Sequence, residues 1–129
     1  MKIISGALLA ICLGLSQVTV AGDDPSIKGQ QRLDIKTAMG NHIGEHLISG
    51  KYVIFDAKNG ALKKLELKEL HNGVVKKGDY FVSCADFVDE KGKLYDLDFL
   101  VTKKGTQYRV IQSLVHAVDG DKRPYHVEG

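Results

Sequence analysis

The stretch YFVSCADFVDEKGKLYDLDFLVTK, residues 80–103, decides the fold, because it alternates apolar and polar residues on either side of a short turn. A period of two is typical of half-buried strands, and Glu90-Lys91-Gly92 supplies the turn. The stretch therefore predicts an antiparallel hairpin whose strands are Tyr80–Asp89 and Lys93–Lys103.

The register of this hairpin follows from the length of its loop. A three-residue loop pairs Val88 with Leu94 and collects the bulky apolar side chains on one face, which we call the aromatic face. A slip of one residue would set Ala85 opposite Asp96 and mix the two faces, and burial selects against such mixing. We expect the aromatic face to hold Phe81, Ser83, Ala85, Phe87, Tyr95, Leu97, Phe99 and Val101.

The opposite face of the hairpin, the outer face, carries candidate ligand-binding side chains. In the predicted register Asp86 lies opposite Asp96, and like charges opposed in a ladder are unfavourable by up to about 1 kcal/mol. Cys84 lies opposite Asp98, and Arg109 on the next strand falls diagonal to Asp98, so we expect Arg109 to compensate that carboxylate. Two interpretations stay open: a metal or substrate site, since carboxylates and a thiolate bind divalent ions, or a solvated face with one ion pair.

A helix is predicted over residues 31–49. Apolar residues at every fourth position from Ile35 to Leu47 share one helical face, and Gly50 is a C-terminal stop signal. We expect this helix to cover the aromatic face of the sheet.

Further strands complete the predicted sheet, and the course of residues 72–79 is left open. The turn at Lys104-Gly105 adds Tyr108, Val110, Gln112 and Leu114 to the aromatic face. The remaining predicted strands are Lys51–Ala57, Ala61–His71 and Gln107–Val118. The first two of these are joined by the hairpin signal Asn59-Gly60. The predicted fold class is α+β, with one N-terminal helix packed on a curved antiparallel sheet of about five strands.

Two histidines on the predicted helix, His42 and His46, fit the H-x-x-E-H pattern of inverted zinc proteases. That family needs a much larger chain and a further glutamate ligand, so a protease is excluded. Both histidines fall within the apolar stripe and should face Ser83, Gln112 and His116 of the sheet. They are therefore either satisfied core histidines or part of a cavity, where histidine carries protons or binds a polar ligand or a metal.

Neither a metal, a cofactor nor a catalytic residue is predicted. The helix offers two histidines, whereas the acids and Cys84 lie on the outer face, so the sheet separates the two half-sites. A strong zinc site needs three or four ligands within about 2.0–2.3 Å of the ion, and only His116 is available to complete one on the helix side. No submicromolar zinc binding is therefore expected.

Residues 1–21 have the layout of a secretory signal peptide, because positive Met1-Lys2 precedes an apolar run that ends at Leu15, and small residues end at Ala21. The apolar run is shorter than the roughly 20 residues of a transmembrane helix. Secretion or export to the periplasm is predicted, with cleavage near Ala21. The mature chain is then divided into a flexible lead-in (22–30), a single domain (31–120) and a polar tail (121–129).

Cleavage would leave a nearly neutral chain with one thiol. It removes Cys12, so Cys84 has no internal disulfide partner. It also removes Lys2, one of 18 basic residues, and leaves 17 basic against 16 acidic side chains. Such a balance excludes nucleic acid as the expected partner, because nucleic-acid binding requires a basic surface.

The order of predicted elements resembles the cystatin-like and NTF2-like architectures, in which one helix crosses a curved antiparallel sheet. Cystatins carry an inhibitory Q-x-V-x-G loop, and residues 112–116 depart from it. Residues 55–60, FDAKNG, are similar to the D-A-x-x-G hairpin of PepSY domains, which have another element order. The stretches CADF (84–87) and YDLDF (95–99) are similar to small exported bacterial proteins of unassigned function.

The predicted function is a secreted or periplasmic, non-catalytic module that binds a protein or small molecule. The alternative is a small enzyme or metal binder of NTF2-like type, in which His42, His46 and Asp86 stand in for the histidine and acid of that pocket. A homodimer through the outer face is also predicted, because large apolar patches mark interfaces. The apolar residues assigned to that face are Val82, Leu94, Leu100, Ile111 and Val115.

Overall fold

One helix and seven strands form the fold in a computed structural model, which describes residues 22–125 and 127. The α+β class is therefore confirmed, but the sheet has seven strands and not about five. The predicted signal peptide, residues 1–21, lies outside the described residues. The elements are α1 (Gly29–Glu45), β1 (Leu47–Ile48), β2 (Lys51–Asp56), β3 (Ala61–Lys77), β4 (Tyr80–Val88), β5 (Leu94–Lys104), β6 (Gln107–Val118) and β7 (Asp121–Lys122).

The sheet is a meander in which each strand pairs antiparallel with the next strand of the sequence. Ile35, Met39 and Ile43 of α1 are buried in one core with the aromatic face, so the expected position of the helix is confirmed. In the described part of the chain, no helix combines the length and the apolar character that crossing a lipid bilayer requires.

The helix ends earlier than predicted. Its last residue is Glu45, and the backbone N–H of His46 donates to the carbonyls of His42 and Ile43. The chain then turns through Ser49 and Gly50, whose φ angles are 50° and 80°, into the short hairpin of β1 and β2. Leu47 therefore lies in β1 and is 45% exposed, rather than on the buried stripe of the helix.

Residues 72–79, whose course the sequence leaves open, complete β3 and its turn into β4. The strand runs on to Lys77, and its pairing with β4 shifts between Leu70 and Val74, which leaves residues 71–73 as a bulge. The N-terminal segment packs on this bulge, because Asp24 N–H donates to the carbonyl of Val74 at 2.7 Å. Arg32 of α1 also donates to the carbonyl of Asn72.

Gly73 allows this close approach. A Cβ atom at Gly73 would lie 2.5 Å from the backbone oxygen of Gly22, which real Cβ contacts do not tolerate. We expect Gly73→Ala to lower the free energy of unfolding by about 1–3 kcal/mol, as overpacking does, in urea denaturation. Gly40→Ala is the control, because its Cβ meets open space in the helix and should stabilise by up to about 1 kcal/mol. Equal stability of the Gly73→Ala variant and the wild type would show that the backbone at the bulge moves to accommodate the methyl group without cost.

The predicted register of β4 and β5 is confirmed throughout. Val88 pairs with Leu94, and Asp86 pairs with Asp96. The hairpin residues assigned to the aromatic face are all buried. Val82 on the outer face is also buried, at 0% exposure, so the outer face is not an open apolar surface there. The predicted homodimer stays a prediction.

Two bulges on β6 correct the predicted faces of that strand. Tyr108 and Val110 pack against the core, as expected. The first bulge, between Val110 and Gln112, sets Gln112 and Leu114 opposite Leu100 and Asp98, and so on the outer face. Their assignment to the aromatic face was therefore wrong. The residues that the shift brings to the core side are Ser113, opposite Phe99, and Val115, which was expected outside.

The sheet curls until β2 contacts β6, although four ladders separate them in the strand order. Tyr52 of β2 stacks on Phe87, with ring centroids 5.3 Å apart, and fills the interior of the curl. Its hydroxyl lies 3.0 Å from the hydroxyl of Ser113 on β6. The curl therefore brings together two strands that do not pair with each other.

Candidate functional site

The first candidate site is a cavity of about 1050 Å³ between β2 and β6, which we call the seam cavity. Because β2 and β6 do not pair here, their edges leave a gap over Leu97 of the core. The volume is just above the roughly 300–1,000 Å³ typical of ligand sites. The apolar side chains on its walls include Val53, Ile54, Phe55, Leu97, Leu114 and Val115.

A buried ion pair borders the seam cavity. Arg123 Nη2 lies 2.7 Å from Asp56 Oδ2, and the two residues are 6% and 1% exposed. Asp56 also accepts hydrogen bonds from the backbone N–H of Lys58 and the side-chain amide of Asn59, so its carboxylate also holds the β2–β3 turn. The pair thus ties the segment after β7 to the end of β2.

One nitrogen of the guanidinium is left over in this arrangement. Arg123 Nη1 is buried and has no hydrogen-bond partner within the described residues. A buried donor that makes no hydrogen bond destabilises the fold. The side chains of Lys58 and Lys122 also line the cavity, so three basic groups there face one acid, Asp56. The electrostatics of the seam cavity therefore favour an anion.

The C-terminal segment forms part of the cavity wall. Pro124 and Tyr125 line it, and the Tyr125 hydroxyl donates to the carbonyl of Val115. Burial raises the pKa of Tyr125, Arg123 lowers it, and Asp98 and Asp56 raise it further, so the phenol stays a proton donor. The predicted polar tail thus has a structural role up to Tyr125.

The second candidate site is a group of polar side chains on the outer face, which we call the outer-face cluster. Its members come from four strands, β3 to β6. They are His71, Cys84, Asp86, Asp96, Asp98 and His116. The candidate residues Cys84, Asp86, Asp96 and Asp98 do share this face, as the predicted register required.

Asp98 is the centre of the buried half of the outer-face cluster. It is 0% exposed, and its two oxygens have different partners. Cys84 Sγ donates to Oδ1 at 3.0 Å, and His116 Nδ1 lies 2.9 Å from Oδ2. The first bulge of β6 puts His116 on this side, so its expected place on the helix side was wrong. His116 is itself the extra residue of the second bulge, between Val115 and Ala117.

The other half of the cluster is held by His71. Its Nε2 lies 2.9 Å from Asp86 Oδ1. Ligand atoms of His71, Cys84 and Asp96 all lie within 4.8 Å of one another. Two irregularities of β3 place this histidine over the β4–β5 ladder. They are a register shift between Leu67 and Glu69 and the bulge at residues 71–73, which contains His71.

Arg109 does not belong to the cluster. It pairs with Thr102 near the far end of β5 and is exposed, so it does not compensate Asp98. The turn into β6 pairs Lys104 with Gln107, so Arg109 lies opposite Thr102, four residues along β5 from Asp98. Histidines, not an arginine, face the opposed carboxylates.

Lys36 of α1 adds a positive charge near Cys84. Its Nζ is buried, and none of the described residues accepts a hydrogen bond from it. Burial lowers the pKa of Lys36 and Arg32 lowers it further, whereas Cys84 and Glu69 raise it.

His42 and His46 face a shallow cavity of about 460 Å³ at the C-terminal end of α1. Their rings stack with centroids 4.1 Å apart, and His42 Nε2 lies 3.2 Å from the Tyr52 hydroxyl. Burial and the neighbouring His46 lower the pKa of His42, while Glu45 raises it. His42 is thus a half-buried, hydrogen-bonded histidine, whereas His46 is exposed.

Comparison with known proteins found no match to the chain, whether among family models, curated proteins or solved structures. The resemblance to cystatin-like and NTF2-like architectures therefore stays a prediction.

Proposed function

We propose that the protein is an exported, non-catalytic binding protein that takes a small amphipathic organic acid in the seam cavity. Nη1 of the buried Arg123, which has no hydrogen-bond partner among the described residues, carries this proposal. A carboxylate placed there would accept the hydrogen bond that no described residue accepts, and such charge-assisted bonds are among the stronger ones.

The apolar walls support the other half of the proposal. Phe55 lines the cavity and is 64% exposed, and burying a side chain of this kind against a ligand contributes about 25 cal/mol per Å² of apolar surface. An alkyl or aromatic body on the acid would cover this surface. Lys58 and Lys122 would attract the anion as it approaches.

Export is proposed because residues 1–21 have the sequence layout of a secretory signal peptide. A small pocket enzyme that uses His42 and His46 remains the alternative, since a cavity does lie beside them. That cavity is smaller, at about 460 Å³ against about 1050 Å³. The seam cavity has the larger apolar wall and the buried cation.

A fluorescence titration tests the proposal. Residues 22–129 are titrated with 11-(dansylamino)undecanoic acid, and the probe is displaced with dodecanoate or with dodecanol. We expect binding at micromolar concentrations and at least about tenfold stronger competition by the carboxylate than by the neutral alcohol, equivalent to about 1.4 kcal/mol. Equal competition by the two would overturn the role of Arg123, and no binding of the probe would overturn the proposal.

Two matched pairs of variants locate the binding. Leu114→Trp fills the seam cavity and should weaken binding at least about tenfold, whereas Leu62→Trp, on an exposed side chain outside the cavity, should not. Lys122→Glu should weaken dodecanoate binding about fivefold, whereas Lys91→Glu, in the exposed β4–β5 loop, should leave it unchanged. Loss of binding in His42→Ala but not in Leu114→Trp would favour the alternative.

A further inference from the structure

We propose that the outer-face cluster binds one divalent transition-metal ion, best matched by Zn²⁺, with His71, Cys84 and Asp96 as ligands. Their ligand atoms already lie within 4.8 Å of one another. Cys84 and Asp96 lie on the paired strands β4 and β5, and His71 lies in the bulge of β3 beside them.

The donor types select the metal. An imidazole nitrogen, a thiolate sulfur and a carboxylate oxygen are the three side-chain ligands that zinc takes. A thiolate disfavours Mg²⁺ and Ca²⁺, which prefer oxygen ligands. In a tetrahedral site with bonds of about 2.0–2.3 Å, ligand atoms are about 3.3–3.8 Å apart. Side-chain movements of about 1 Å would close the present cluster to that spacing, with the strands left in place.

A carboxylate supports one of the three ligands, because Asp86 contacts His71 at 2.9 Å. Asp98, 3.0 Å from Cys84 Sγ, accepts the thiol hydrogen only while the metal is absent. A carboxylate behind a metal-bound histidine fixes the ring and strengthens its bond to the metal. The contact of Asp98 with His116, at 2.9 Å, in turn fixes Asp98.

The charges of the outer-face cluster also favour a cation. Asp86 lies directly opposite Asp96, and Asp98 is the next residue on the same face. Zinc binding would release the proton of the Cys84 thiol to solvent, and the resulting thiolate would add a further negative charge beside Asp98. A dication between His71, Cys84 and Asp96 would be attracted by the thiolate and the neighbouring carboxylates.

This inference departs from the expectation of no tight zinc site. That expectation counted only Cys84 and the acids on the outer face. The irregularities of β3 add His71, and the first bulge of β6 brings His116 beside Asp98. The site is independent of the seam cavity, whose lining does not include its ligands.

A cobalt titration of the tag-free chain, residues 22–129, tests the site. We expect one Co²⁺ per chain, with a near-ultraviolet charge-transfer band from thiolate to cobalt, and displacement by Zn²⁺ with a submicromolar dissociation constant. The wild-type spectrum alone is decisive, because only Cys84 supplies a thiolate in this part of the chain. Absence of the thiolate band at saturating Co²⁺ would overturn the proposal, whether or not the variants fold.

Variants assign the ligands. Cys84→Ser should abolish the band, and Asp96→Asn and His71→Gln should weaken Zn²⁺ binding by at least about tenfold, with the fold of each variant checked by circular dichroism. His42→Ala and His46→Ala are the matched controls, because they remove histidines from the helix side, and Leu114→Trp tests independence from the seam cavity. Loss of binding in either histidine control, with retention in Asp96→Asn, would place the metal at the helix and contradict the proposal.

Discussion

Replacing Phe99 by Ala is expected to lower the free energy of unfolding by about 3–5 kcal/mol. Phe99 is 0% exposed on the central strand β5. Its ring lies 6.2 Å from that of Phe87 and 6.1 Å from that of Tyr52, between centroids. Truncation would leave a void where the helix, the sheet and the curled strand β2 meet, and the strands cannot collapse into it without breaking their ladders.

Urea denaturation followed by circular dichroism measures this loss. The dependence of the unfolding free energy on urea concentration should be the same for the variant and the wild type. Phe55→Ala is the control, since Phe55 is 64% exposed and its truncation should cost less than about 1 kcal/mol. A loss below about 1 kcal/mol for Phe99→Ala would mean that the interior of the sheet is not the centre of stability.

Replacing Arg123 by Met is expected to have an effect of similar size. The substitution leaves the carboxylate of Asp56 buried and without its cation, and breaking one side of a buried pair typically costs about 3–5 kcal/mol. Asp56 is 1% exposed, so its carboxylate has little contact with solvent to compensate for the lost guanidinium. The same denaturation measurement applies.

The double variant Asp56→Asn/Arg123→Met separates the charge from the packing. The amide introduced at position 56 keeps an oxygen for the N–H of Lys58 but carries no charge, so we expect the double variant to recover about half or more of the loss. Lys51→Met is the matched control, since it removes a cation from the exposed pair with Glu66 and should cost less than about 1 kcal/mol. A double variant no more stable than Arg123→Met would show that the loss comes from packing and not from an uncompensated carboxylate.

The central hairpin of the fold could be predicted from sequence because its information is local. The alternation in β4 and β5 and the length of one loop were enough to predict the pairing of Val88 with Leu94. The same register then gave the pairing of the rest of the two strands. The bulges of β3 and β6 could not be predicted in this way. No glycine or proline lies at the β6 bulges, and a single extra residue reverses every face that follows it.

The candidate sites depend on those bulges and on contacts across the curl. Cys84, Asp86, Asp96 and Asp98 were placed on one face by the alternation, but His71 and His116 reach it only through bulges. The seam cavity was missed for another reason. Asp56 and Arg123 are 67 residues apart, and neither carries a local signal that it has a buried partner.

The strand order has a consequence for how the chain folds. Since every strand pairs with its neighbour in sequence, most of the sheet can form through short loops, which is the kind of topology that folds quickly. The contacts that close the curl, Tyr52 with Ser113 and Asp56 with Arg123, span 61 and 67 residues and require the longest loops to be ordered. We expect them to form after the transition state, so that damage to them accelerates unfolding and leaves the rate of folding nearly unchanged.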